Sequence, residues 1–183
     1  MKKKSIKVEV EVEAEGAMGK IRVVKNYSAF RCMMPVIFHS YANDFLKAAK
    51  GLKVTGSTHV LCFLYCKSIE LALKAFLLAK DMPPDMLKDK GKKGIGHDLE
   101  IALGEAESRG LVGIVEIPYK YREELRKANY YYVVKGYEYF DNYELAMSIA
   151  DSTSLKVLSE LASILVTKLE KPIGESVKIL IDK

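Results

Sequence analysis

The chain opens in strict alternation. Across residues 6–13 apolar and charged side chains exchange places at every step, the period of a half-buried strand. Gly16 and Gly19 bracket a turn, and the β-branched Ile21, Val23 and Val24 continue beyond it. The pattern predicts a β-hairpin. Two strands alone are marginal in water, so a further element has to cover them. The apolar Val177, Ile179, Leu180 and Ile181, after the breaker Pro172-Ile173-Gly174, predict a C-terminal strand that can do so.

From residue 40 the period becomes helical. Residues 40–50 carry Phe45, Leu46, Ala48 and Ala49 and stop at Gly51. Residues 59–80 are apolar nearly all the way round, as a rod at the centre of a bundle would be, and Pro83-Pro84 block any extension. Lys67, Glu70 and Lys74 lie inside this run, and each costs about 2.5–3.5 kcal/mol at mid-bilayer. A core helix is therefore expected, with no membrane span.

Residues 88–96 read as a Gly- and Lys-rich loop. A short helix over 98–109, closed by Gly110, follows it. Residues 119–134, entered from Pro118, form another. Asp151 or Ser152 is placed to cap the last helix, along which Leu155, Leu158, Leu161, Ala162, Leu165 and Leu169 recur at helical spacing. The expected fold class is mainly α: an up-and-down bundle of about five helices with an N-terminal β-hairpin and a C-terminal β-strand. Residues 1–38 would be the hairpin extension and linker, 39–171 the bundle and 172–183 the tail.

Composition narrows this picture. A chain of 183 residues, 49% hydrophobic and 29% charged, suits one globular domain. No apolar h-region follows Lys2, Lys3 and Lys4, and Cys32, Cys62 and Cys66 lack a secreted spacing, so a cytoplasmic protein with free thiols is expected. The net charge of +5 gathers partly in Lys88, Lys90, Lys92 and Lys93. Such a cluster attracts phosphate, or is simply a solvated loop.

Two segments carry a family likeness. Glu70-Leu71-Ala72-Leu73-Lys74-Ala75-Phe76-Leu77 resembles the E-L-x-L-K-x-x-L core helix of HEPN-like bundles (higher eukaryotes and prokaryotes nucleotide-binding), and Gly96-His97-Asp98-Leu99 is similar to the G-H-D-L that opens their next helix. Residues 45–49 look like the preceding helix with its F-x-x-A-A ending, and the Tyr-rich residues 129–140 sit where a Y-x-x-K-x-x-x-Y segment follows. The likeness spans roughly residues 41–170. It implies a helical bundle, commonly a homodimer, in a superfamily containing many ribonucleases; a toxin–antitoxin or defence setting is compatible with it. Those nucleases carry an Arg and a His four to six residues apart on one helix. Here Arg31 precedes His39 by seven intervening residues, and Pro35 is expected to break the helix between them. The usual ribonuclease chemistry is therefore not carried over.

His97 is the sharpest candidate. It follows a basic loop at the start of a helix, where free N–H groups and the helix dipole favour a phosphate, and Lys92 and Lys93 add charge. Alternatively, Asp98 favours the dipole while His97 bonds to a neighbouring helix. Gly91-Lys92-Lys93-Gly94-Ile95-Gly96 is not a Walker loop, and no cofactor is expected. Glu70 and Lys74, with Lys67 on the same side, mark a polar pocket, a dimer seam or one wet stripe. His59, Cys62 and Cys66 share a helical face, but a fourth metal ligand is not evident and lone thiols on such a helix are usually core, so no metal is expected. The dense tyrosines between Tyr119 and Tyr143, Tyr131 among them, interleave with Lys120, Arg122, Arg126, Lys127 and Lys135; they would stack bases or pack an interface.

The expected function is a binding module for nucleotide or RNA, with Lys67, Lys92, Lys93, His97 and Tyr131 as ligand residues and without the usual ribonuclease activity. Competing readings are a homodimeric or partner-binding structural protein, and a ribonuclease of a different kind using His97 with Glu70 or Lys74.

Overall fold

The computed structural model describes residues 7–11, 22–52, 58–88, 94–138 and 153–181, with side chains described from residue 34 to residue 176 of these. Two short strands, β1 (Lys7–Glu11) and β2 (Arg22–Asn26), pair antiparallel with Val10 opposite Val23. Five α-helices follow among the described residues: α1 (Tyr27–Gly51), α2 (Thr58–Ala79), α3 (Leu99–Ser108), α4 (Tyr119–Val133) and α5 (Leu155–Ile181). The protein is mainly helical, and none of these helices is long and apolar enough to cross a membrane.

The apolar character of α2 decides the arrangement. Ile69, Leu73, Phe76 and Leu77 are fully buried, and the helix packs against α1, α3, α4 and α5. Each such side chain contributes about 1.5–3 kcal/mol on leaving water. Two polar bonds set the register of its long neighbours. Ser68 Oγ donates to the carbonyl of Ala42 on α1 at 2.8 Å, and His39 Nε2 on α1 lies 2.7 Å from the carbonyl of Val166 on α5. A carbonyl only accepts, so His39 carries its proton on Nε2.

Three expectations are corrected. Pro35 does not break α1, which runs through it from Tyr27 to Gly51. Proline removes one backbone bond and costs about 3 kcal/mol inside a helix. Here Pro35 is itself buried and is followed by Ala42, Leu46 and Ala49 packed into the core, so tertiary burial outweighs the local cost. The C-terminal strand is likewise absent: α5 passes through Pro172 and continues to Ile181. The stripe of Leu165 and Leu169 extends to Ile173, just 1% exposed, and holds the helix across the proline. The cap of α5 also lies later than expected. Ser154 Oγ accepts from Val157 N at 3.4 Å, while Asp151 and Ser152 lie outside the described residues.

The entrance to α3 completes the scaffold. Asp98 Oδ1 accepts from the backbone N–H groups of Glu100 and Ile101, both at 3.0 Å, and so caps the helix. The buried Asn129 of α4 accepts from Leu99 N at 2.8 Å and donates to Asp98 Oδ1 at 3.1 Å. Gly96, at φ +57, turns the preceding loop so that its carbonyl meets Lys74 Nζ at 2.5 Å.

Candidate functional site

The scaffold gathers four polar side chains from three segments around one carboxylate. Glu70 sits midway along α2 and is 2% exposed. Its Oε1 accepts from Lys74 Nζ at 2.6 Å, one helical turn away. Its Oε2 accepts from Lys67 Nζ at 3.0 Å, from the hydroxyl of Tyr132 on α4, and from His97 Nδ1 at 3.3 Å. The His97 and Tyr132 rings meet edge to face at 6.1 Å. Carboxylate oxygens accept only, so the proton on His97 belongs to Nδ1 and its Nε2 is left as an acceptor.

Electrostatics follow from the geometry. Burial alone would raise the Glu70 pKa, but the charges of Lys74 and then Lys67 outweigh it and bring it down from 4.5 to about 2. Tyr132 moves the other way, because burial and the adjacent carboxylate both oppose a phenolate. One carboxylate thus faces two ammonium groups, leaving a positive balance. Lys74 and Glu70 are enclosed, whereas Lys67 is half-buried and His97 is 46% exposed. The cluster therefore has a closed inner end and an outer edge of hydrogen-bond donors and one imidazole acceptor.

A sequence profile of the HEPN domain matches residues 38–171, most of the chain. The chain belongs to the HEPN domain family. No curated protein and no solved structure matches it. Within this HEPN domain, the two motif segments come together: Glu70 and Lys74 of the core helix bind His97 and Gly96 of the G-H-D-L turn.

Other expected site residues lie elsewhere. Tyr131 is 2% exposed, and a Cβ at Gly136 would come within 2.8 Å of its ring, so it is packed beneath the turn that ends α4 and presents no face to a base. Tyr132, the next residue, reaches the site instead. Tyr121 is also buried, and Tyr139 and Tyr143 lie outside the described residues. Lys92 and Lys93 lie outside them as well. The N-terminus of α3 is not an open anion site, because Asn129 and Asp98 already accept from Leu99, Glu100 and Ile101. Cys62 and Cys66 are buried thiols; burial lifts Cys62 to about 11 and Cys66 well above the usual range, which disfavours the thiolate a metal needs. His59, on the same helix, has its ring edge-on to Tyr137 at 6.2 Å. No group of three potential metal ligands forms among the described residues.

Asn129 and Tyr132 were the residues that motif reasoning missed. A signal existed, since Tyr121, Leu125, Ala128 and Tyr132 repeat at steps of four, three and four along α4 and define its inward face.

Proposed function

We propose that this HEPN domain, residues 39–171, binds RNA or a nucleotide through a phosphate held at the outer edge of the Glu70 cluster. Lys67 supplies the charge, and the Nε2 of His97 accepts a hydrogen bond from a ribose hydroxyl beside that phosphate. The observation carrying this reading is the positive balance around a carboxylate too enclosed to meet an anion itself, with Lys67 and His97 on the solvent side. Lys92 and Lys93 would extend the contact along the chain preceding His97. The family's ribonuclease chemistry is not part of this reading; His39, the histidine of the departing Arg–His spacing, is engaged with the Val166 carbonyl.

The test is anisotropy of a labelled single-stranded RNA and of a labelled ATP analogue over a salt series. Binding should weaken as salt rises, and Lys67→Ala should lower affinity and reduce the salt slope by about one. Absence of binding by either probe at low salt would end the proposal.

A second reading is a homodimer. Tyr119 and Tyr130, exposed on α4, favour it.

A further inference from the structure

Within the Glu70 cluster, the orientation of His97 is over-determined. Its Nδ1 lies 3.3 Å from Glu70 Oε2, and the Tyr132 ring stands edge to face against it, with 89° between the planes. The chain on either side is pinned as well. The Gly96 carbonyl accepts from Lys74 Nζ, while Asp98 accepts from Asn129 and donates its own N–H to the Ile95 carbonyl. An imidazole fixed at its plane and at both neighbouring residues keeps one pose.

The carboxylate decides which ring nitrogen carries the proton. Glu70 stays ionised, its pKa brought down to about 2, so only a protonated Nδ1 can meet it. The neutral ring then offers Nε2 as a bare lone pair. Nδ1 points inward to an enclosed oxygen, and Nε2 faces away from it on a ring that is about half exposed. A lone pair repels a phosphate oxygen and demands a donor.

Lys67 fixes where that donor must sit. Its Nζ is bonded to the same Oε2 at 3.0 Å, with N–H groups to spare, so the ammonium and the imidazole are neighbours. A ligand has to bring an anionic oxygen and a hydroxyl to them side by side. The 3′-phosphate and 2′-hydroxyl of one ribonucleotide stand on adjacent sugar carbons and meet that demand. The phosphates of ATP hang from the other side of the sugar, and DNA has no such hydroxyl.

We propose that the Glu70–His97 pair reads the 2′-hydroxyl beside a 3′-phosphate, so that the site selects RNA strands over DNA strands. Glu70 is the positioning residue, since it fixes the tautomer, and His97 determines the specificity. The inference rests on the phosphate reading above and adds the chemical feature by which the site tells strands apart. No bond of the ligand is made or broken.

The test compares labelled oligomers of one sequence with ribose, deoxyribose or 2′-fluoro sugars, by anisotropy on the full chain at low salt. The fluoro sugar keeps the pucker of ribose and removes the donor. RNA should bind about fivefold or more tightly than the fluoro strand, the worth of one hydrogen bond. DNA should bind no better than the fluoro strand. His97→Phe keeps a ring against Tyr132; it should bring RNA down to the level of the fluoro strand and leave the fluoro strand unchanged. Nitrogen-15 correlation spectra of the imidazoles, with His97 assigned by its loss in that variant, should place its proton on Nδ1.

No binding of any strand at low salt ends the phosphate reading and this inference with it. RNA and fluoro strands that bind alike leave the phosphate reading standing and overturn the recognition of a hydroxyl. The same follows if His97→Phe weakens all the strands equally, or if the His97 proton is found on Nε2.

Discussion

The hydroxyl of Tyr132 on α4 donates to the buried carboxylate of Glu70 on α2, a polar tie between two helices of the core. A hydrogen bond to a charged group is worth about 1.5–3 kcal/mol. Tyr132→Phe keeps the ring and removes the bond. It should lower unfolding free energy by about 2 kcal/mol in urea titrations at neutral pH. A change within experimental error would mean that a water replaces the hydroxyl and that the bond does not hold α4 in place.

The entrance of α3 depends on two oxygens of different rank. Asp98 is exposed enough for water to replace it, whereas Asn129 is buried with three polar partners. Asp98→Ala should cost about 1 kcal/mol, the ordinary value of a lost cap. Asn129→Ala should cost more, about 2–3 kcal/mol, because it leaves the Leu99 N–H buried and unpaired. Thermal or urea unfolding of the two variants side by side checks the order, and equal costs would contradict it.

Two histidines that look alike in the sequence should behave differently. His39 is bonded to a backbone carbonyl between α1 and α5, and His97 faces solvent from a carboxylate. His39→Ala should destabilise by about 1–3 kcal/mol and leave RNA affinity unchanged. His97→Ala should do the reverse: small loss of stability, weaker RNA binding. Cleavage of RNA by the purified protein that disappears in His97→Ala would instead favour the ribonuclease reading, in which Nε2 acts as a base.

Helix order was readable because its signals are local. The unbroken apolar surface of residues 59–80 marks a central rod, Asp98 and Gly110 mark both ends of α3, and Pro118 marks the entrance of α4. The prolines at 35 and 172 misled because their cost is local and certain, whereas the burial of Ala42, Leu46 and Ile173 that offsets it depends on distant helices. The site was legible in part. Glu70, Lys74 and Lys67 share a helix face by spacing alone, but that His97 would turn back onto them depends on Gly96 and a loop. The choice of Tyr131 over Tyr132 shows how sharp the limit is. One residue along a helix is a rotation of about 100°, enough to exchange the site for the packing under Gly136.

Glu70 also makes stability depend on acid. Its pKa is 4.5 in an ordinary setting and about 2 in the folded protein, so folding favours the charged form. Its contribution is complete above about pH 5 and is lost as pH falls from 4.5 towards 2, below which the group is protonated in both states. Each pKa step is worth 1.36 kcal/mol, so the gap corresponds to about 3 kcal/mol. Urea midpoints measured from pH 7 to pH 2 should show this fall in wild type and lose that component in Glu70→Gln. The single variant carries a penalty of its own, since it leaves the enclosed Lys74 without its counter-charge, a loss of about 3–5 kcal/mol for a broken buried pair. Adding Lys74→Met removes the stranded charge and should recover much of the neutral-pH stability while keeping the acid response flat. An acid response in the double variant equal to that of wild type would place its origin in other carboxylates.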